Sequence, residues 1–171
     1  MIPRSMPLWL IAAAVLAAAA GTDVAAQERI TRAQLVGSWS YVSNVNIQAD
    51  GRKSYPQGER EGAGMLVFDG SGHFSWQLIR SDIPKFAGNN RQAGSDEENR
   101  AVVRGSIAYF GDYSFDEANQ TLTMRVTAST FSNWNGTEQK RRLELKNGEL
   151  VVINSSGASG GTAIVTWKRL Q

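Results

Sequence analysis

Thr121-Leu122-Thr123-Met124-Arg125-Val126-Thr127-Ala128 is the stretch that decides the fold class. Leu122, Met124, Val126 and Ala128 alternate with Thr123, Arg125 and Thr127, the period of two that sends one set of side chains to a core and the other to water. The predicted strand runs from Thr121 to Phe131. It is preceded by a second strand, Tyr109 to Phe115, across the polar turn Asp116-Glu117-Ala118-Asn119-Gln120. It is followed by a third, Thr137 to Leu145, which ends at Asn147-Gly148, a strong hairpin signal because both residues tolerate a positive φ.

Outward from this centre the pattern repeats. Trp39 to Ile47 ends at Ala49-Asp50-Gly51, Gly64 to Asp69 turns through Gly70-Ser71-Gly72 into His73 to Arg80, and Leu150 to Asn154 precedes Thr162 to Leu170. These are eight strands joined mostly by short turns. The one break is Ser95-Asp96-Glu97-Glu98, a capping box that predicts a short helix over 96–104, stopped near Gly105. The connection before it, 81–94, is long for a loop. A meander with one helical insertion predicts an all-β, eight-stranded antiparallel up-and-down barrel, just wide enough to be filled by side chains or to hold one small ligand.

The N-terminus reads differently. Arg4 precedes the apolar run Leu8 to Ala20, and Val24-Ala25-Ala26 closes the segment. These features fit the basic start, short apolar centre and small-residue break of a bacterial secretory signal; the alternative is an N-terminal membrane anchor, against which weighs an apolar run of about 13 residues where roughly 20 span a bilayer. The expectation is a signal peptide over 1–26, a single barrel domain over 27–171, a periplasmic or secreted location and no stable membrane insertion after cleavage.

Composition removes several chemistries. With no Cys, the chain has no disulfides, thiolate metal site or cysteine nucleophile. One His argues against a histidine metal site or relay, so no metal and no cofactor are expected. A net charge of +2, evenly spread, does not point to nucleic acid. No Ser lies in a nucleophile elbow, and no phosphate loop or dinucleotide fingerprint is present. No catalytic residue is assigned.

The opening Gly37-Ser38-Trp39 and the closing Trp167-Lys168-Arg169 resemble the lipocalin and wider calycin signature. In that signature a Gly-x-Trp packs against a basic residue from the last strand. Alternation sets Val165, Trp167 and Arg169 on one face, so the resemblance implies that Gly37, Trp39, Trp167 and Arg169 close one end of the barrel, Arg169 stacking on Trp39. A longer series resembles the bacterial and fungal lipocalin-like domain family: Leu35-Val36-Gly37-Ser38-Trp39, Asp50-Gly51-Arg52, Tyr55-Pro56, Gly58, Asp69-Gly70-Ser71-Gly72-His73, Gln77-Leu78-Ile79-Arg80, Pro84-Lys85-Phe86, Ala108-Tyr109-Phe110-Gly111-Asp112-Tyr113 and Asn133-Trp134-Asn135-Gly136-Thr137-Glu138-Gln139. The chain departs from the family at Met124-Arg125, where relatives often carry histidines, so chemistry through those histidines does not transfer. Gly111-Asp112-Tyr113 only echoes the second signature of vertebrate-type lipocalins.

Candidate binding residues follow from alternation. In Thr137 to Leu145 an all-charged face, Glu138, Lys140, Arg142 and Glu144, is expected in solvent; Leu143 and Leu145 then carry Arg141 and Gln139 into the lumen or its mouth. A guanidinium there needs a partner: a structural acid, water at the mouth, or the carboxylate of a ligand. Phe74, Trp76, Leu78 and Arg80 form a second face, either core or an aromatic pocket wall with Arg80 near its rim, while the family blocks single out His73 and Gln77 on the opposite face. His73 itself reads as a solvated turn residue. Tyr109 is a further polar candidate, and Trp134 either covers the barrel mouth or packs on the helix. The function expected is binding of a small apolar or amphipathic molecule, with an anionic one among the forms it admits. The alternatives are a cofactor-free cyclase or isomerase using the lumen as a reaction chamber, marked by convergence of two or more of Tyr109, Arg141, Gln139, Arg80 and His73, and a ligand-free structural or stress-related domain.

Overall fold

A computed structural model describes residues 29–58, 62–156 and 161–171; the expected signal segment lies outside them. The strands are β1 (Gly37–Ile47), β2 (Lys53–Ser54), β3 (Ala63–Phe68), β4 (His73–Ile79), β5 (Ser106–Asp116), β6 (Thr121–Ser129), β7 (Glu138–Lys146), β8 (Glu149–Asn154) and β9 (Thr162–Arg169). Apart from the two-residue β2, each pairs antiparallel with its neighbours in sequence, and β9 returns to pair with β1 from Trp39↔Arg169 to Ile47↔Thr162. The sheet therefore closes on itself as an eight-stranded barrel, which removes the exposed edges an open sheet would have. The β7–β8 turn carries positive φ at both Asn147 and Gly148, as its sequence requires.

Two bulges shift the alternation. One falls between Tyr41 and Ser43 on β1, so the inward sequence runs Trp39, Tyr41 and then Asn44 rather than Ser43. The other lies where β6 passes Phe110 and Gly111: Val126 pairs with Gly111 and Ala128 with Phe110. Ala128 thus shares the outward face with the exposed Phe110 and leaves the face of Leu122, Met124 and Val126. At Gly111 a Cβ would run into the Arg125 carbonyl and approach the Thr127 nitrogen to 2.8 Å, which is why the crossing takes glycine.

One pole of the barrel is plugged. A four-residue helix α1 (Arg32–Leu35), which the sequence pattern did not announce, follows Ile30 and ends on Leu35; Ile30, Leu35 and Trp39 are all buried. Gln120, in the β5–β6 turn, receives the Ile30 N–H at 2.8 Å and donates to the Ile30 carbonyl at 3.0 Å. Trp39 donates its indole N–H to the Leu35 carbonyl at 3.0 Å, and the Arg169 guanidinium lies 4.2 Å from the Trp39 ring. Arg169 also donates to the Val36 carbonyl at 3.0 Å and to that of Gln34. Trp167 is fully buried above this layer, edge-on to Trp76 at 4.9 Å and to Tyr41 at 6.1 Å.

The inserted helix α2 spans Asp96–Gly105, with Ser95 accepting from the Glu98 N–H and Glu98 accepting from the Ser95 N–H at 2.7 Å. Glu98 also accepts from the Ala87 N–H at 2.7 Å, so the cap anchors the long preceding loop to the helix. The expected solvated face of β7 holds with one correction. Glu144 is buried on the outer surface, where Arg142 reaches it at 2.5 Å and Lys146 at 2.6 Å, their long stems covering it.

Candidate functional site

The opposite pole is open. A cavity of about 910 Å³ enters the barrel between the ends of β4–β9, the α2 terminus and the turn after β6, within the size range of small-molecule pockets. The lumen is not packed solid.

Its aromatic wall follows from alternation on β4 and β5. Phe74, Trp76 and Leu78 point inward and are buried, leaving His73, Gln77 and Ile79 on the outside. Trp76 stacks on Tyr109 at 5.7 Å and 24°. A 3-10 turn, Ser132–Trp134, sets Trp134 edge-on to Tyr109 at 5.2 Å and Phe131 edge-on to Trp134 at 5.6 Å. Trp134 lines the cavity and is half-buried, so it belongs to the rim of the mouth.

The polar groups come from β7 and β1. Arg141 and Gln139 both line the cavity, on the face of the buried Leu143. Arg141 donates to the Gln139 side-chain oxygen at 2.7 Å and to the Lys140 carbonyl at 2.8 Å. Both acceptors are neutral and within two residues of it. Among the described residues Arg141 forms no ion pair, although the neighbouring charges of β7 do. Burial pulls its pKa down, the cost of a guanidinium withdrawn from water without a counter-charge. The Tyr109 phenol lies close enough to feel it: burial pushes this phenol well above its ordinary value, while Arg141 acts the other way. Arg104, Lys140 and Glu138 add two cations and one acid to the lining, which leaves the mouth net positive.

Arg80, expected near the rim, does not line the cavity. It follows the last residue of β4, where the inner-face alternation ends, and its guanidinium turns back to Asp82 at 2.8 Å. His73 lies at the other pole, exposed, with its Nδ1 2.9 Å from Asp69. Of the polar residues considered, Tyr109, Gln139 and Arg141 come together in one cavity with Trp76 and Trp134; Arg80 and His73 do not.

Asn44 and Gln57 are further lining residues that sequence reasoning passed over. β3 accompanies β1 only over Gly37–Ser40, and β2 takes the same edge at Asn46–Ile47. Between them Gln57, from the turn after β2, accepts from the Asn44 side-chain amide at 2.5 Å. Strict alternation from Trp39 would turn Asn44 outward; the bulge before Ser43 brings it in. β1 carries three serines and two asparagines, so no single polar residue of it stood out in the sequence as inward-facing.

Among the described residues no group of His, Asp and Glu side chains is arranged to hold a metal ion, and no helix is long and apolar enough to cross a membrane. The family model described as a lipocalin-like domain matches residues 36–170. A curated relative is the 4'-hydroxy-3'-methoxypropiophenone carrier protein ppsC of Aspergillus oryzae (strain ATCC 42149 / RIB 40), 28% identical over 106 residues that cover 56% of this chain and 96% of the relative. Among solved structures, a redesigned β-barrel is similar at 13% identity and a TM-score of 0.41, over 81% of this chain and 94% of that one.

Proposed function

The chain belongs to the lipocalin-like domain family, and we propose that it binds a small aromatic or amphipathic molecule in the lumen, with an anionic or carbonyl oxygen of that molecule meeting Arg141. The observation that carries this reading is Arg141 itself, half-buried in the cavity that Trp76, Tyr109 and Trp134 line and paired with no acid among the described residues. A guanidinium so placed gains most from a ligand oxygen, because a charge-assisted hydrogen bond is stronger than the two neutral ones it has. The relative is named as a carrier of an aryl ketone, a molecule with a flat ring and an acceptor oxygen. Such a ring suits the Trp76–Tyr109 stack and the edge of Trp134.

Burying about 300 Å² of apolar ligand surface gives a gross gain of roughly 7 kcal/mol. Ordering costs reduce this, and affinities in the micromolar range follow. The apolar N-terminal run supports export to the periplasm or beyond, where the protein would meet its ligand. Native mass spectrometry of protein purified from its own host is the test. A retained aromatic molecule bearing an oxyanion or carbonyl supports the reading; a retained purely aliphatic hydrocarbon contradicts it.

A second reading has one observation in its favour. Tyr109 and Arg141 lie together in the cavity, and such a pair of donors can stabilise a developing enolate or alkoxide. A cofactor-free isomerase or cyclase would use them in that way. Conversion of a bound enolisable ketone during incubation with the protein, abolished in Arg141→Met, would favour it over a carrier.

A further inference from the structure

Among the described residues seven large apolar side chains are exposed, and four of them lie at the open end of the barrel. Tyr55 stands in the connection after β1, Ile79 ends β4, Val103 is on α2 and Phe131 is in the connection after β6. Val103 is 78% exposed, the most of the seven, and with Phe131 it lines the cavity mouth. One exposed apolar residue is ordinary on a folded surface, but four spread round one opening are not. Met65 and Phe110 stand apart on the outer wall, and Leu170 follows β9 at the closed pole.

Charge is arranged to match. Several acids near this end are already engaged: Asp50 with Arg52 at 2.6 Å, Asp82 with Arg80 at 2.8 Å, and Glu138 with Lys140 at 3.8 Å and Arg125 at 3.9 Å. Glu98 is held by its helix cap. Lys53, Lys85, Arg100 and Arg104 form no ion pair among the described residues. Arg100 and Arg104 are about one turn apart on α2, with Val103 between them in sequence. Asp96 and Glu97 start the same helix, about 10 Å along its axis from Arg104 and at the positive end of its dipole.

Whatever covers this end must fit a rim rather than a plane. Its centre is the cavity mouth, so a rigid partner would find little continuous surface to pack against. A layer of lipid headgroups is fluid, accepts shallow apolar side chains and presents phosphates to the cations between them. We propose that the open pole docks reversibly on an anionic lipid surface, with Val103 and Phe131 entering the headgroup region and Arg100 and Arg104 against lipid phosphates. Lys53 and Lys85 add to the attraction. The contact is peripheral, and it turns the mouth toward the bilayer. It is a property of the rim and holds whatever the lumen binds.

The chain has no cysteine, so a single thiol label can be placed at a chosen position. In the full chain an environment-sensitive fluorophore is attached in turn through Val103→Cys, Phe131→Cys, Met65→Cys and Leu170→Cys. Each is mixed with vesicles of phosphatidylcholine, alone or with an equal part of phosphatidylglycerol. The N-terminal apolar run is common to all four, so a difference between label positions reads the orientation of the barrel. On the anionic vesicles the labels at 103 and 131 should shift to the blue, those at 65 and 170 should not, and added salt should reverse the shift. Arg100→Gln together with Arg104→Gln should weaken the binding read at position 131 by about thirtyfold.

No shift at 103 and 131, equal shifts at all four positions, an equal response to phosphatidylcholine alone, or unchanged binding after loss of the two arginines would each overturn the inference. A blue shift at 103 and 131 that grows with protein concentration in the absence of lipid would mean that a second copy covers this end, and overturns it as well. Ligand binding in the lumen is read separately, by titration without vesicles, and stands or falls on that result.

Discussion

Two arginines, one at each pole of the barrel, have similar numbers of hydrogen bonds and different consequences. Arg169 donates to carbonyls at Gln34 and Val36, far away in sequence, and stacks on Trp39. It ties the last strand to the segment that enters the first. Arg141 donates to Gln139 and Lys140, its own neighbours on β7, and connects nothing distant. Contacts between remote segments offset the conformational entropy of closing the barrel, whereas contacts within one strand do so only slightly. The closed pole holds the fold together, and the open pole keeps a guanidinium that no acid balances among the described residues. Counting bonds around each guanidinium would have missed this difference.

The largest effect expected from breaking the comparison is at Trp39. Trp39→Ala removes a buried indole, its bond to Leu35 and the platform for Arg169, and should cost about 3–5 kcal/mol in urea unfolding. That is a large share of the roughly 5–15 kcal/mol that holds a domain of this size together. A near-normal midpoint would mean that the pole is not closed by this residue. Arg169→Met keeps the stem and loses the cation–π contact and two carbonyl bonds, a loss of about 2–3 kcal/mol for this exposed side chain. Arg141→Met should leave the stability of the free protein unchanged or slightly raised, because it removes a desolvated charge that no acid balances. If Arg141→Met instead destabilises as strongly as Trp39→Ala, the two poles do not divide as described.

The smallest effect concerns pH. Asp69 and, more weakly, Asp112 raise the pKa of His73, and the His73 backbone and ring lower that of Asp69. For His73 the favourable pairing is fully present below its unfolded value near 6.5 and is lost as pH rises through the higher folded value. For Asp69 it is lost as pH falls through the lowered folded value, so the pair contributes most between the two. Both groups are solvent-exposed, so the slope should be slight. His73→Gln should flatten it, and the His73 ring protons should titrate above the unfolded value by NMR. Arg141, at the open pole, keeps its charge across this range.

The barrel was legible in the sequence wherever alternation ran unbroken. Leu122, Met124 and Val126 on β6, and Leu143 on β7, lie inward as their period of two requires, and the same period puts Arg141 and Gln139 beside them. Ser95 and Glu98 announce α2 because a capping box is a local pattern. What escaped was non-local. The bulges that expel Ala128 and bring in Asn44 are set by how two strands with different curvature meet around the barrel. α1 was invisible because four residues are too few to show a helical period, and its contact with Trp39 is decided by tertiary packing. Arg80 was misplaced by extending β4 one residue beyond its end at Ile79.

The division between the poles rests most heavily on what Arg141 is for. The most direct measurement is a titration of cinnamate into the wild-type protein and Arg141→Met at equal folded concentration, followed by tryptophan fluorescence. Losing a charge-assisted hydrogen bond worth roughly 1.5–3 kcal/mol should weaken binding by about ten- to a hundredfold. An unchanged dissociation constant in Arg141→Met would contradict the account.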